Sequence, residues 1–236
     1  MSSPAAQEIL RGLEAVADER AARLGDASLA AACDAIKRYQ HARFGITYAD
    51  LMAQPRYAGA AEFFLTDLYG PADFSDRDHQ FARIVPALVR LFPARIVDTV
   101  AELAELHALS ERLDTAMGRR LLSEAGAPAA ISGAAYGRWW RAVGEAALRE
   151  RQIALMVSVG RALDSYTRNV LLRQSLRVMR GPAAAAGLGA LQGFLERGFD
   201  TFRDMRGAEV FLETIASRER RLAASLFAGG AGPDLP

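Results

Sequence analysis

Cysteine occurs once in the 236 residues, at Cys33, and lysine once, at Lys37. A single cysteine excludes an intramolecular disulfide, which suits a reducing compartment. Charge of one sign is also lacking: 29 basic side chains face 28 acidic ones, for a formal net charge of +1. That balance gives no electrostatic reason to expect a nucleic-acid or anionic-membrane partner. Long apolar runs are missing as well. The longest, Ile153–Gly160 and Ala183–Leu195, fall short of the roughly 20 residues a spanning helix needs. The first residues, Met1-Ser2-Ser3-Pro4-Ala5-Ala6-Gln7-Glu8, have neither a basic start nor an apolar stretch, so a secretory leader is not expected. These absences together point to a cytoplasmic protein.

Strand-forming Val, Ile and Thr are few, whereas alanine is the commonest residue and leucine is frequent. Alanine and leucine lead the helix scale, while β-branched residues favour strands. The expectation is an all-α chain: a single-domain bundle of about nine helices over residues 1–227, with a disordered tail at 228–236. A chain of this length buries roughly 70–75% of the surface its unfolded form exposes, enough for a core without disulfides or a structural metal. Because arginines are spread between acids rather than clustered, their dominance over lysine is read as genome composition.

Apolar residues recur at spacings of three and four along most of the chain. Leu10, Leu13, Ala17, Ala21 and Leu24 mark a first helix ending at Gly25, and Leu29, Ala32, Cys33, Ile36 and Tyr39 a second, capped by Asp26 or Ser28 and stopped at Gly45. Lys37, Arg38 and Arg43 fall near its C-terminal end, where the dipole favours cations. Thr47 and Asp50 form a capping-box-like pair. Tyr57, Ala61, Phe64 and Leu68 carry the next helix, which stops at Gly70-Pro71. Phe81, Ile84, Val85, Leu88, Leu91 and Phe92 follow behind a Ser75 cap, with Pro86 inside. Ile96, Val100, Leu103, Leu106, Leu113, Met117 and Leu121 make a long helix from Pro93 to about Glu124. After Gly126-Ala127-Pro128, Ser132 caps a helical stretch reaching Arg180, with Gly144 and Gly160 as its expected interruptions. Trp139 and Trp140 point to different apolar faces of one helix, which places it centrally in the fold or at a subunit contact. Two more helices follow Gly181-Pro182.

The densest polar segment runs from Glu62 to Arg83. It contributes a candidate cluster of Glu62, Asp67, Tyr69, Asp73, Arg77, Asp78, His79 and Arg83. Much of it is explained by helix ends alone: Ser75 with Asp78 three residues on reads as a capping box, and acids suit a first turn. Asp78 exceeds that explanation. It lies three residues before Phe81 and seven before Val85, on the apolar stripe, and an inward carboxylate needs partners. Glu62, Thr66 and Tyr69 share a face of the preceding helix. The corner is therefore read either as a site or as a structural ion-pair network.

The phrase Phe63-Phe64-Leu65-x-x-Leu68-Tyr69-Gly70-Pro71-x-Asp73-Phe74-Ser75-x-Arg77-Asp78-x-Gln80-Phe81-Ala82-Arg83 resembles a family of uncharacterised all-helical bacterial proteins. Met179-Arg180-Gly181-Pro182-Ala183, the Gly187–Leu195 segment and Arg218-Glu219-Arg220 are similar to its later parts. The resemblance covers about Arg56 to Phe227. It implies the helical fold and carries no activity, cofactor or catalytic residue.

Known chemical signatures fail on spacing. No pair among His41, His79 and His107 has the His-x-x-x-His interval of a zinc helix, and no Glu-x-x-His of a di-iron bundle occurs. A haem needs only one histidine; His107, at the edge of a core stripe, is otherwise a hydrogen-bonded semi-buried residue. Cys33 sits among alanines on an apolar stripe, as a buried inert thiol does. Gly187-Leu188-Gly189 and Gly193 depart from both phosphate-loop fingerprints. Three functions are left open. The first is a binding or interaction protein using an apolar pocket or groove between helices, with a small apolar ligand, a protein partner or a second copy as occupant. The others are a metal- or haem-dependent enzyme with its site at the Glu62–Arg83 corner, and a scaffold. No cofactor is specified.

Overall fold

The computed structural model describes residues 4–68, 74–126 and 130–230. Among these, every regular element is helical and no strand occurs. In chain order the α-helices are α1 (Pro4–Leu24), α2 (Ala27–Thr47), α3 (Ala49–Met52), α4 (Ala58–Phe63), α5 (Ser75–Leu91), α6 (Ala94–Ala125), α7 (Gly133–Val143), α8 (Ala146–Thr167), α9 (Val170–Val178), α10 (Arg180–Ala185), α11 (Gly189–Met205) and α12 (Glu209–Phe227). A π-helical turn, Phe64–Leu68, continues α4. Nine of these helices are long; α3, α4 and α10 are short.

Local chemistry sets several boundaries. Asp26 Oδ1 accepts the backbone N–H groups of Ser28 and Leu29 at the start of α2. Ser132 accepts that of Ala135 at the start of α7, and Asn169 those of Leu171 and Leu172 at the start of α9. Each cap satisfies donors that the first helical turn leaves orphaned. Helix α6 ends at Gly126 in a left-handed conformation, φ +70°, which glycine adopts without steric cost.

Other expectations are corrected. Helix α1 buries Ala6, Ile9, Val16 and Arg23, and Leu24 is 87% exposed. The expected stripe through Leu24 is thus rotated, because two arginines of α1 turn inward. Gly45 lies within α2, and Thr47 ends that helix rather than capping another. Tyr48 takes the junction instead, its hydroxyl donating to Glu219 Oε1 at 2.7 Å. Ser75 is the first residue of α5, not its cap. Gly144 does end α7, but Gly160 lies inside α8, which runs on to Thr167. There the missing Cβ admits Leu212: an added one would stand 2.5 Å from its Cδ2. Both tryptophans are buried within the chain, and Trp139 donates its Nε1–H to Glu124 at 2.8 Å. The expected tail at 228–236 lies outside the described residues from 231 on.

Burial forms three apolar clusters. One gathers Tyr48, Phe64, Phe202, Phe211 and Leu212 around α8, α11 and α12. A second packs Ile36, Met117, Leu121, Tyr136 and Trp140 between α2, α6 and α7. A third joins Ile9, Val85, Val97 and Ala104 across α1, α5 and α6. Helix α6 runs beside all three, and where they meet its side chains are polar.

Gly118 of α6 sits against α2: a Cβ there would lie 2.6 Å from Cys33 Sγ and 3.2 Å from its backbone N. Gly118→Ala should therefore cost about 1–2 kcal/mol net of its better helix propensity. Gly45→Ala, which meets nothing within 4 Å, should stabilise by up to about 1 kcal/mol. Urea denaturation of the two variants reads the opposite signs.

Candidate functional site: two adjoining chambers

Helix α6 places His107, Ser110, Glu111 and Asp114 at intervals of three, one and three. That spacing puts all four on one helical face, and the face is turned inward. Three other helices answer it. Helix α1 contributes Arg20 and Arg23, α2 contributes Lys37, Gln40 and Arg43, and α8 contributes Arg149 and Gln152. Glu219 of α12 completes the ring.

Glu111 is the most heavily engaged. It accepts from Arg23 and from Lys37 Nζ at 3.0 and 3.1 Å, and Arg20 lies 3.6 Å away. Burial alone would raise its pKa, but Lys37 and Arg23 outweigh burial and hold the carboxyl down at about 2. Asp114, one turn on, goes the other way. Burial pushes its carboxyl above the ordinary range, and neighbouring Glu111 adds to this, against opposing pulls from Lys37 and Arg149. Two carboxyls on one helix face thus occupy opposite electrostatic environments.

Asp78 of α5 closes the network on the far side. Its Oδ2 lies 2.8 Å from Arg20 and 2.9 Å from His107 Nε2, and its Oδ1 3.5 Å from Arg77 Nε. Burial raises its pKa, but the hydrogen bond and charge of His107, with Arg77 and Arg20, hold it below the usual carboxylate value. Opposite, Arg43 pairs with Glu219, which also accepts from Tyr48. The guanidinium of Arg149, 5% exposed as a residue, stacks over Trp140 at 3.8 Å.

A partly open polar chamber of about 80 Å³ lies at this network, lined by Lys37, Arg43, His107, Glu111, Asp114, Tyr136, Trp140, Arg149 and Glu219, with apolar Phe44, Ile153 and Met156. Beside it is an apolar chamber of about 110 Å³, walled by Leu13, Phe81, Val100, Leu103, Leu106, Leu191, Phe194 and Leu195. Leu68, His107, Ser110 and Met156 line both. Asp78 and Arg77 stand at the polar edge of the apolar chamber.

The residues singled out from sequence are dispersed by the fold. Asp78 and Arg77 reach the chambers. Asp67 pairs with Arg197, while its carbonyl accepts from Arg77 at 2.9 Å. Glu62 and His79 are exposed, and exposed Arg83 donates to the carbonyl of Ala186 at 3.1 Å. Tyr69 and Asp73 lie outside the described residues. Sequence reasoning missed Arg20, Arg23, Lys37, Arg43, Glu111, Asp114, Arg149 and Glu219. A signal was present: the apolar stripe of α6 skips from Leu106 to Leu113, and Ser110 fills the gap. Among the described residues, no three His, Cys, Asp or Glu side chains are grouped to hold a metal ion. His107 Nε2, the nitrogen facing Asp78, is engaged. Burial raises the Cys33 thiol to about 11, so it is not thiolate at neutral pH.

Residues 19–233 match the family model described as "Domain of unknown function (DUF8198)". The chain belongs to this family. No curated protein and no solved structure matches the chain. The matched span takes in every residue of both chambers except Leu13, which lies before it. In addition, no helix is long and apolar enough among the described residues to cross a membrane.

Glu111 makes the network's dependence on pH measurable. Its folded pKa of about 2 lies below the ordinary 4.5, so its stabilisation is complete above pH 4.5 and disappears as pH falls through 2. The loss should be on the order of 3 kcal/mol. Glu111→Gln should flatten that dependence and, at pH 7, cost several kcal/mol, because it strands buried cations. Asp114→Asn should be neutral or stabilising at pH 7. Urea unfolding between pH 7 and pH 2 tests all three.

Proposed function

We propose that this protein binds a small organic molecule between its helices, with the apolar part of that molecule in the chamber bounded by Val100, Leu103, Phe194 and Leu195. The observation that carries the reading is the pairing of two unlike chambers through a shared wall. Ligand sites are characteristically apolar recesses with a few convergent polar groups that fix orientation. Here the apolar chamber supplies the recess, while Asp78, His107 and Ser110 supply polar groups at its edge. The cost of the arrangement also supports a functional role. Buried ion pairs are weak contributors to stability, and apolar replacements of similar volume often match or exceed them. A core that keeps many charges at one place, against apolar packing elsewhere, departs from local rules as functional sites do.

Binding of this kind couples to stability, since a ligand that binds only the folded chain at one hundred times its Kd adds about 2.7 kcal/mol. Melting of the full chain with 1-octanol, the simplest aliphatic probe for the recess, should show a concentration-dependent rise. Val100→Phe, which fills the apolar chamber, should abolish the rise while leaving the unliganded protein folded. No stabilisation of the wild-type chain, or equal stabilisation of both chains, overturns the reading.

A further inference from the structure

Near-neutrality of the whole chain conceals a local segregation of charge. Residues 165–195 are the longest stretch without an acid, and they carry four arginines, Arg168, Arg173, Arg177 and Arg180. Arg168 pairs with Asp164 and Arg180 with Glu196, the two acids that bound the stretch. Arg173 and Arg177 join no ion pair among the described residues. Both belong to α9, none of whose nine residues is buried.

The face that α9 turns to solvent is apolar. Val170, Leu171, Gln174 and Val178 fall within one arc of the helix. All four are exposed, Leu171 by 72% and Val178 by 74%. Arg173 and Arg177 follow along one edge of that arc. Leu172 and Leu176, on the opposite side, are half-buried, and Gln192 of α11 donates to the carbonyl of Leu176 at 2.6 Å. The helix is thus held down by one apolar side while it offers a second to the outside. Exposed apolar surface continues past its end: Met179, Pro182 and Ala184 to Ala186 are exposed, and Arg180 is the only charge between Val178 and Leu195. Single exposed apolar residues are ordinary, but a contiguous set rimmed by polar groups marks an interaction surface.

We propose that α9 docks the protein onto an anionic lipid surface, with Leu171 and Val178 entering the boundary between headgroups and acyl chains and Arg173 and Arg177 meeting lipid phosphates. Helices that lie in a membrane interface combine an apolar face with basic residues beside it. The negative potential of an anionic leaflet draws those residues in. The same charges disfavour a second copy as occupant, since a two-fold contact through this face sets the arginines of one chain against those of the other. A nucleic acid would engage the arginines through its phosphates and leave the apolar arc in water. Nothing in the contact requires either chamber to be occupied.

Flotation of the full chain with lipid vesicles tests this. Phosphatidylcholine vesicles with about one third phosphatidylglycerol should carry the protein, and vesicles of phosphatidylcholine alone should bind it about tenfold more weakly. Raising the salt from about 0.05 M to about 0.5 M should weaken the anionic binding about tenfold. Replacing both Arg173→Gln and Arg177→Gln should cost about fivefold per charge. Replacing both Leu171→Gln and Val178→Gln should cost about tenfold and leave the melting temperature unchanged, because both side chains are already in water. No binding to the anionic vesicles, equal binding to the two vesicle types, or wild-type binding by either double variant overturns the proposal. A dimer in sedimentation equilibrium that Leu171→Gln dissociates, without vesicle binding, overturns it in favour of a second copy.

Discussion

Glu111 stands mid-way along the longest helix, and it can be buried there only because other helices bring it cations. Arg23 and Arg20 come from α1 and Lys37 from α2. The requirement fixes more than one contact. To deliver both arginines, α1 must rotate so that their face points inward, which turns Leu24 out to solvent. Arg20 then reaches Asp78, and through it α5 is tied to α1 and to His107 of α6. Four helices are thereby tied by charge as well as by the apolar clusters between them, and breaking one partner would leave the rest unpaired in a low-dielectric interior.

The chambers follow from that constraint. Apolar clusters cannot close over charged groups without burying them unpaired, so the three clusters stop where the polar face of α6 begins. The polar chamber occupies the junction of the first two, and the apolar chamber that of the first and third. Leu68, at the end of the π-helical turn, belongs to both walls. Single π turns inside helices are frequent at functional sites, because the additional residue re-aims the side chains that follow.

The fold class was legible because it depends on apolar period alone. Leu29, Ala32, Cys33, Ile36 and Tyr39 were placed inward by spacing and all five are buried. Asp78 was also legible, since a carboxylate on an apolar stripe is anomalous in one helix taken by itself. The chamber was not. The helical members of its wall lie on five helices far apart in sequence, and each looks ordinary alone: Lys37 and Arg43 near the end of α2 read as dipole partners. A long side chain is assigned to solvent by default. Only the opposing face reveals that it has a buried partner. Helix ends were misplaced for a related reason. Tyr48 holds the end of α2 through Glu219, 171 residues away, and no local rule contains that contact.

Lys37 is the chain's sole lysine, and its ammonium is committed to Glu111 inside the fold. Acylation, alkylation or crosslinking by reagents selective for primary amines thus finds a single side-chain address, part-buried and guarded by a carboxylate. Covalent labelling at that nitrogen reports how often its ion pair with Glu111 is released.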